Sequence, residues 1–130
     1  MATTPLPQGL RVLVVDDNRD AADTTALLLK LWGHQPLVAY DGPSALAMAL
    51  DQRPDVILLD IGLPGMTGRE VARRIREQPG TERVFLVALT GYGQASDYQL
   101  SQEAGFDVHM VKPYDPETLR LAIVKGRPDR

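Results

Sequence analysis

Five short apolar runs, separated by stretches of helical pattern, constrain this chain more than any other feature. They are "LRVLVV" at 10–15, "QPLVAY" at 35–40, "DVILL" at 55–59, "VFLVAL" at 84–89 and "VHMV" at 108–111. A helical pattern covers roughly 19–32 and stops at Gly33, a residue suited to the position just past a helix. Gly42 and Pro43 fit an N-cap and a first helical position, opening a helix to about Leu50. "TGRE" at 67–70 reads as a capping box, with Thr67 as N-cap and Glu70 three residues on; its helix ends before Pro79 and Gly80. A polar helix is expected over about 94–104, ending at Gly105, and Asp115 with Pro116 opens a last, short helix.

Strands that alternate with helices demand a parallel sheet, right-handed crossovers and helices on both faces. The chain is therefore expected to be a (βα)5 domain of the α/β class. The first, third and fourth runs are unbroken and apolar, as interior strands of a doubly covered sheet must be. The second contains Pro36, which belongs on an edge, and the fifth is short and carries His109. The implied strand order is 2-1-3-4-5, the doubly wound, three-layer arrangement of flavodoxin-like proteins.

The 130 residues suit one domain: a loose lead-in at 1–9, a folded unit at 10–125 and a short tail at 126–130. No cysteine is present, which excludes disulfides, thiolate metal sites and cysteine nucleophiles. A net charge of −3 argues against direct nucleic-acid binding. The opening "MATTPLPQG" lacks the features of a signal peptide, and no run approaches the length of a membrane span. A soluble, cytoplasmic protein is expected.

Ligands of such a sheet sit beyond the carboxyl ends of the strands, where the winding direction reverses. Strand one runs into Asp16 and Asp17, strand three into Asp60, strand four into Thr90 and strand five into Lys112. All of these reach one rim. Three carboxylates this close repel unless a cation sits among them. An all-oxygen donor set points to a hard ion, Mg²⁺ first, with Mn²⁺ able to substitute. A carboxylate beside such an ion can act as nucleophile and form an acyl phosphate, and Lys112 and Thr90 can neutralise or hydrogen-bond the transferred oxygens. Each residue also has an ordinary reading. Asp17 and Asn18 could cap a helix, Asp60 and Thr90 could be turn residues, and Lys112 could be a solvated surface lysine. Their convergence on one rim is what favours chemistry.

"VLVVDDN", "DVILLDIGLPGMTG", "ALTG" and "VKPY", in that order and spacing, resemble the receiver domain of two-component response regulators over about residues 10–125. The resemblance implies that Asp60 accepts a phosphoryl group from a sensor histidine kinase or a histidine phosphotransfer protein. It implies Mg²⁺ held by Asp17, Asp60 and the Gly62 carbonyl, with Asp16 acting largely through water. Thr90 would be the switch hydroxyl, Lys112 the phosphate-pairing lysine, and Lys112–Pro113 a cis bond. Output would pass through the face of the fourth helix, fifth strand and fifth helix, to an unidentified downstream protein or a second copy in a homodimer. The module would phosphorylate itself and have no separate substrate, so it is not expected to be a conventional enzyme. It would be a single-domain regulator or a receiver excised from a hybrid histidine kinase.

Three positions bear on how far the family's usual behaviour carries over. His109 stands where the switch aromatic is often Tyr or Phe. Gly62 and Tyr92 occupy the loop positions that tune acyl-phosphate lifetime, and neither supplies an acid or amide to orient water. Slow self-dephosphorylation is expected. The arginines at 69, 73, 74 and 76 are read as a solvated, partly paired helix face, Trp32 as packing and His34 as a surface residue. A phosphatase of the haloacid dehalogenase type would need an acidic residue two positions after its nucleophile, but Asn18 and Gly62 stand there. A flavodoxin-like cofactor binder would want a phosphate cradle where this chain is acidic. A degenerate scaffold is disfavoured by the intact acidic, hydroxyl and lysine set.

Overall fold

The apolar runs pair side by side as parallel strands. A computed structural model describes residues 9–81, 83–91 and 104–126. The strands are β1 (Arg11–Val15), β2 (Gln35–Ala39), β3 (Val56–Asp60), β4 (Phe85–Thr90) and β5 (Val108–Val111), in the order β2-β1-β3-β4-β5. The helices among the described residues are α1 (Arg19–Leu31), α2 (Gly42–Gln52), α3 (Gly68–Arg76) and α4 (Pro116–Val124). This is the expected α/β architecture, with Pro36 on one edge strand and His109 on the other.

Register explains why the three inner strands read as continuous apolar runs. Leu13 pairs with Ile57, and Ile57 with Leu86. Side chains alternate along a strand, so both faces must be apolar when both are covered. Leu13, Ile57 and Leu86 face α2 and α3, meeting Ala49, Val71 and Ile75. Val14, Leu58 and Val87 face α1 and α4, meeting Leu29, Leu119 and Ile123. Ile57 and Leu58 are fully buried, and truncating either to Ala should cost about 2–5 kcal/mol.

Local chemistry sets the helix ends. Asn18 caps α1 by accepting from the Ala21 N–H, and Thr67 caps α3 by accepting from the Glu70 N–H. Asp115 caps α4 through the Thr118 N–H, with Pro116 opening the helix. The start of α2 differs from expectation. Asp41, not Gly42, is the N-cap, because its carboxylate accepts the Ser44 N–H at 2.7 Å and a glycine has no side chain to do so.

Three other residues depart from the sequence reading. His34 is buried, at 7% exposure, rather than on the surface. Its backbone continues the turn that closes α1, donating to Leu29 O at 3.0 Å, and this carries the ring inward. Arg76 is only partly exposed: its guanidinium donates to Gly105 O, Val84 O and Asp107, tying the end of α3 to the approaches of β4 and β5. Gly126, expected in the tail, is buried against Val56 and Phe85. The helix expected over 94–104 lies outside the described residues except Ala104, which is helical and buried. No helix among the described residues is long and apolar enough to cross a membrane.

Candidate functional site

Parallel pairing brings all five carboxyl ends to one rim. Asp16 follows β1, Asp60 ends β3, Thr90 ends β4 and Lys112 follows β5. Backbone bonds hold these ends in step: Asp16 N–H donates to Ala39 O at 3.2 Å, Ile61 N–H to Leu89 O at 2.9 Å and Lys112 N–H to Thr90 O at 2.8 Å.

The carboxylates of Asp16, Asp17 and Asp60 offer oxygens that all lie within 4.8 Å of one another. Their roles within the cluster differ. Asp16 is buried, and both its oxygens are engaged: Oδ1 accepts the Asn18 N–H at 2.9 Å and Oδ2 the Lys112 ammonium at 3.0 Å. Asp60 accepts the Gly62 N–H on Oδ1 at 2.9 Å and Lys112 on Oδ2 at 3.3 Å. Asp17 is exposed, and the capping of α1 falls to Asn18 instead.

Lys112 thus bridges two carboxylates while a third stands beside them. Burial, the largest influence, raises the pKa of Asp60, and Asp16 adds to this; the Gly62 N–H and Lys112 oppose it without prevailing. For Lys112, burial pulls the pKa down, but the Asp16 hydrogen bond and the charges of Asp60 and Asp16 together raise it. Both pKa values rise: Asp60 because burial and, less strongly, Asp16 outweigh its bonds to Gly62 and Lys112, and Lys112 because two carboxylates share its charge. One ammonium leaves this cluster with excess negative charge. A hard dication with oxygen preference fits it, and the absence of imidazole or thiolate donors fits Mg²⁺ in particular.

Thr90 is buried, and its hydroxyl lies 3.1 Å from His109 Nε2. The sequence placed these two residues on neighbouring strands, and the register sets Thr90 opposite Val111 with His109 opposite Ala88. The Lys112–Pro113 bond is cis. Tyr92 lies outside the described residues. Gly62 is exposed, and a side chain there would begin 3.5 Å from Asp60 Oδ1.

Sequence reasoning missed the part played by Gly68. A Cβ there would collide with the Asp60 carbonyl oxygen and the Ile61 Cα, so glycine lets α3 start directly behind the acidic strand end. The sequence signal is the glycine inside "MTGRE", which the capping box of Thr67 and Glu70 does not itself require.

Comparison with known proteins agrees with this geometry. The family model of the response regulator receiver domain matches residues 12–124. The DNA-binding response regulator MtrA of Mycobacterium tuberculosis is 38% identical over 117 residues, covering 90% of this chain and 50% of MtrA. The chain therefore spans about half the length of this curated relative. Chemotaxis response regulator CheY4 of Vibrio cholerae superposes with a TM-score of 0.85 at 31% identity, covering 92% of this chain and 99% of that one. The receiver domain of sensor histidine kinase PA1611 from Pseudomonas aeruginosa, with magnesium coordinated in its active-site cleft, gives a TM-score of 0.79 at 31% identity, covering 88% and 94%. The chain belongs to the response regulator receiver domain family of two-component systems.

Proposed function

We propose that this chain is a phosphoacceptor module in which Asp60 takes a phosphoryl group from a phosphohistidine donor. The observation that carries the reading is the bridge from Lys112 to both Asp16 and Asp60 inside a three-carboxylate cluster. In the transfer, an Asp60 oxygen forms a bond to phosphorus while the phosphorus–nitrogen bond of the donor breaks, and the imidazole keeps the electron pair. Asp17, Asp60 and the Gly62 carbonyl would hold Mg²⁺, with Asp16 acting through water, and the ion would supply charge neutralisation for the phosphoryl oxygens. Mn²⁺ is proposed to substitute. Lys112 pairs with a phosphoryl oxygen, and the Thr90 hydroxyl donates to another. His109, already bonded to Thr90, follows that hydroxyl and alters the surface around β5 and α4.

The domain is a signalling module that catalyses its own modification and does not turn over a separate substrate. Its proposed donors are a sensor histidine kinase or a histidine phosphotransfer protein. A downstream protein or a second copy would read the altered face. DNA binding is named for the longer relative MtrA; here the domain itself is proposed to bind no nucleic acid and no membrane. A cytoplasmic location, a folded unit that begins near residue 10 and takes in Gly126, and either a stand-alone regulator or a hybrid-kinase receiver complete the proposal.

The test is incubation with Mg²⁺ and acetyl phosphate, followed by intact mass measurement of wild type and Asp60→Asn. One added phosphoryl group on wild type, lost with a chelator and with Asp60→Asn, is expected. No adduct with any donor would leave only a scaffold.

A further inference from the structure

The loop from Ile61 to Thr67 carries the Gly62 carbonyl, yet its own sequence gives it little stiffness. Gly62 and Gly65 are both exposed, and Gly65 has φ at 73°, a left-handed conformation that suits glycine. Near β3 the loop is tied at Ile61, whose N–H donates to Leu89 O at 2.9 Å and whose carbonyl accepts the Gly68 N–H at 3.2 Å. Leu63 anchors it next, buried in the core layer that β3 shares with α2 and α3. Past Leu63 the loop leans on α2, where half-buried Met66 lies against Gly42.

That contact bridges segments that the sheet keeps apart. Gly42 opens α2 after β2, Met66 follows β3, and β1 stands between those strands. Strands two places apart are separated by roughly 10 Å. The two segments therefore meet by leaning together beside the end of β1, the strand that delivers Asp16 and Asp17. Gly42 is buried, and a Cβ there would lie 2.7 Å from the Met66 carbonyl oxygen and 2.8 Å from Met66 Cβ. Gly42 does not adopt the left-handed conformation, so the close approach, and not the backbone angle, calls for glycine. The α2 side of the contact is the firmer one. Asp41 caps the helix through the Ser44 N–H at 2.7 Å, and Pro43 fixes its first turn. A side chain at Gly42 would push the loop, not the helix.

We infer that Gly42 and Met66 are positioning residues for metal binding, their contact holding the loop so that the Gly62 carbonyl stays available to the ion. The inference rests on the Mg²⁺ reading of the acidic cluster. Neither residue touches the ion; both act through the loop. Groups that orient metal ligands from behind commonly set affinity over one or two orders of magnitude.

The test is a Mg²⁺ titration of the whole chain, followed by the amide NMR shifts of Asp17, Ile61 and Gly62, with thermal melting of the metal-free protein alongside. Gly42→Ala should weaken Mg²⁺ binding roughly tenfold. Its metal-free melting temperature should stay within a few degrees of wild type, because Ala favours a helix more than Gly does. A residue that only stabilised the fold would not separate the two readouts in this way. Met66→Ala should weaken Mg²⁺ binding severalfold, and Met66→Leu, which keeps the side-chain volume, should bind within about twofold of wild type. If Gly42→Ala is too unstable to titrate, the two Met66 variants decide alone. Wild-type affinity in Met66→Ala, or an equal loss in Met66→Ala and Met66→Leu, would overturn the inference and leave the Mg²⁺ reading standing. Absence of Mg²⁺ binding in wild type would remove that reading and the inference with it.

Discussion

The Nε2 atom of His109 lies 3.1 Å from the hydroxyl of Thr90, joining the last two strands of the sheet at the acidic rim. Thr90 is buried and His109 is half-buried, so motion of one is felt by the other. His109→Phe removes the bond and keeps a ring. Phosphorylation of Asp60 should proceed within about threefold of wild type, since Asp16, Asp17, Asp60 and Lys112 are all kept. The phosphorylation-dependent change in amide exchange across β5 and α4 should shrink severalfold. Hydrogen-exchange mass spectrometry on the phosphorylated forms makes the comparison, and an undiminished change in His109→Phe would remove this residue from the switch.

The raised pKa of Asp60 has a stability consequence with a definite sign. A carboxyl whose folded pKa lies above its unfolded value favours the fold below the unfolded pKa of 3.8, and that contribution is lost as pH rises through the raised value. At neutral pH the ionised Asp60 therefore strains the metal-free domain. Asp60→Asn should melt a few degrees higher than wild type near neutrality, and the gain should vanish in acid. Mg²⁺ should stabilise wild type more than Asp60→Asn. Calorimetry with and without Mg²⁺ reads both effects, and an Asp60→Asn variant that melts lower at neutral pH would contradict the charge-strain account.

His34 gives the opposite dependence. Burial, aided by the Arg120 charge, lowers its pKa below 6.5, and its Nδ1 has no hydrogen-bond partner among the described residues. A depressed folded pKa means that stability is present above the unfolded value and lost as pH falls through and below about 6.5. His34→Leu removes the group that must take up the proton. Urea unfolding between roughly pH 7 and pH 5 should show a falling stability in wild type and a flatter profile in His34→Leu. Parallel profiles would rule out His34 as the source.

Gly68 should tolerate no side chain. Gly68→Ala sets a methyl against the Asp60 carbonyl and should cost about 1–3 kcal/mol while displacing the phosphoacceptor. The measurement is chemical denaturation alongside acetyl phosphate labelling. A variant that is equally stable and labels at the wild-type rate would show that the backbone yields there without consequence.

Gly62 leaves the approach to Asp60 open on one side. The acyl phosphate should persist for minutes or longer at neutral pH, because no acid or amide at 62 orients an attacking water. Gly62→Asn places such an amide within reach of Asp60 Oδ1, starting from a Cβ 3.5 Å away, and should shorten the lifetime several-fold. Loss of the phosphoryl group from wild type within seconds would refute the slow-decay reading.

How much of this was legible in the sequence depends on how local the cause is. Strand order followed from Pro36, His109 and the unbroken runs between them, because edge and interior strands obey different chemical constraints. Convergence of Asp16, Asp60, Thr90 and Lys112 followed from parallel topology alone. What stayed hidden depends on three-dimensional contact. No pattern around His34 shows that the turn after α1 directs its ring inward, and nothing near Arg76 reveals that its acceptors lie at Val84, Gly105 and Asp107. Asp41 was a readable miss, since Asp outranks Gly as an N-cap.

The central claim is that Asp60, and no other carboxylate of the cluster, carries the phosphoryl group. Wild-type protein treated with acetyl phosphate and Mg²⁺, reduced with borohydride and digested, should yield homoserine in place of aspartate at residue 60. Reduction at Asp16 or Asp17, or none in any peptide while the intact mass shows the adduct, would contradict it.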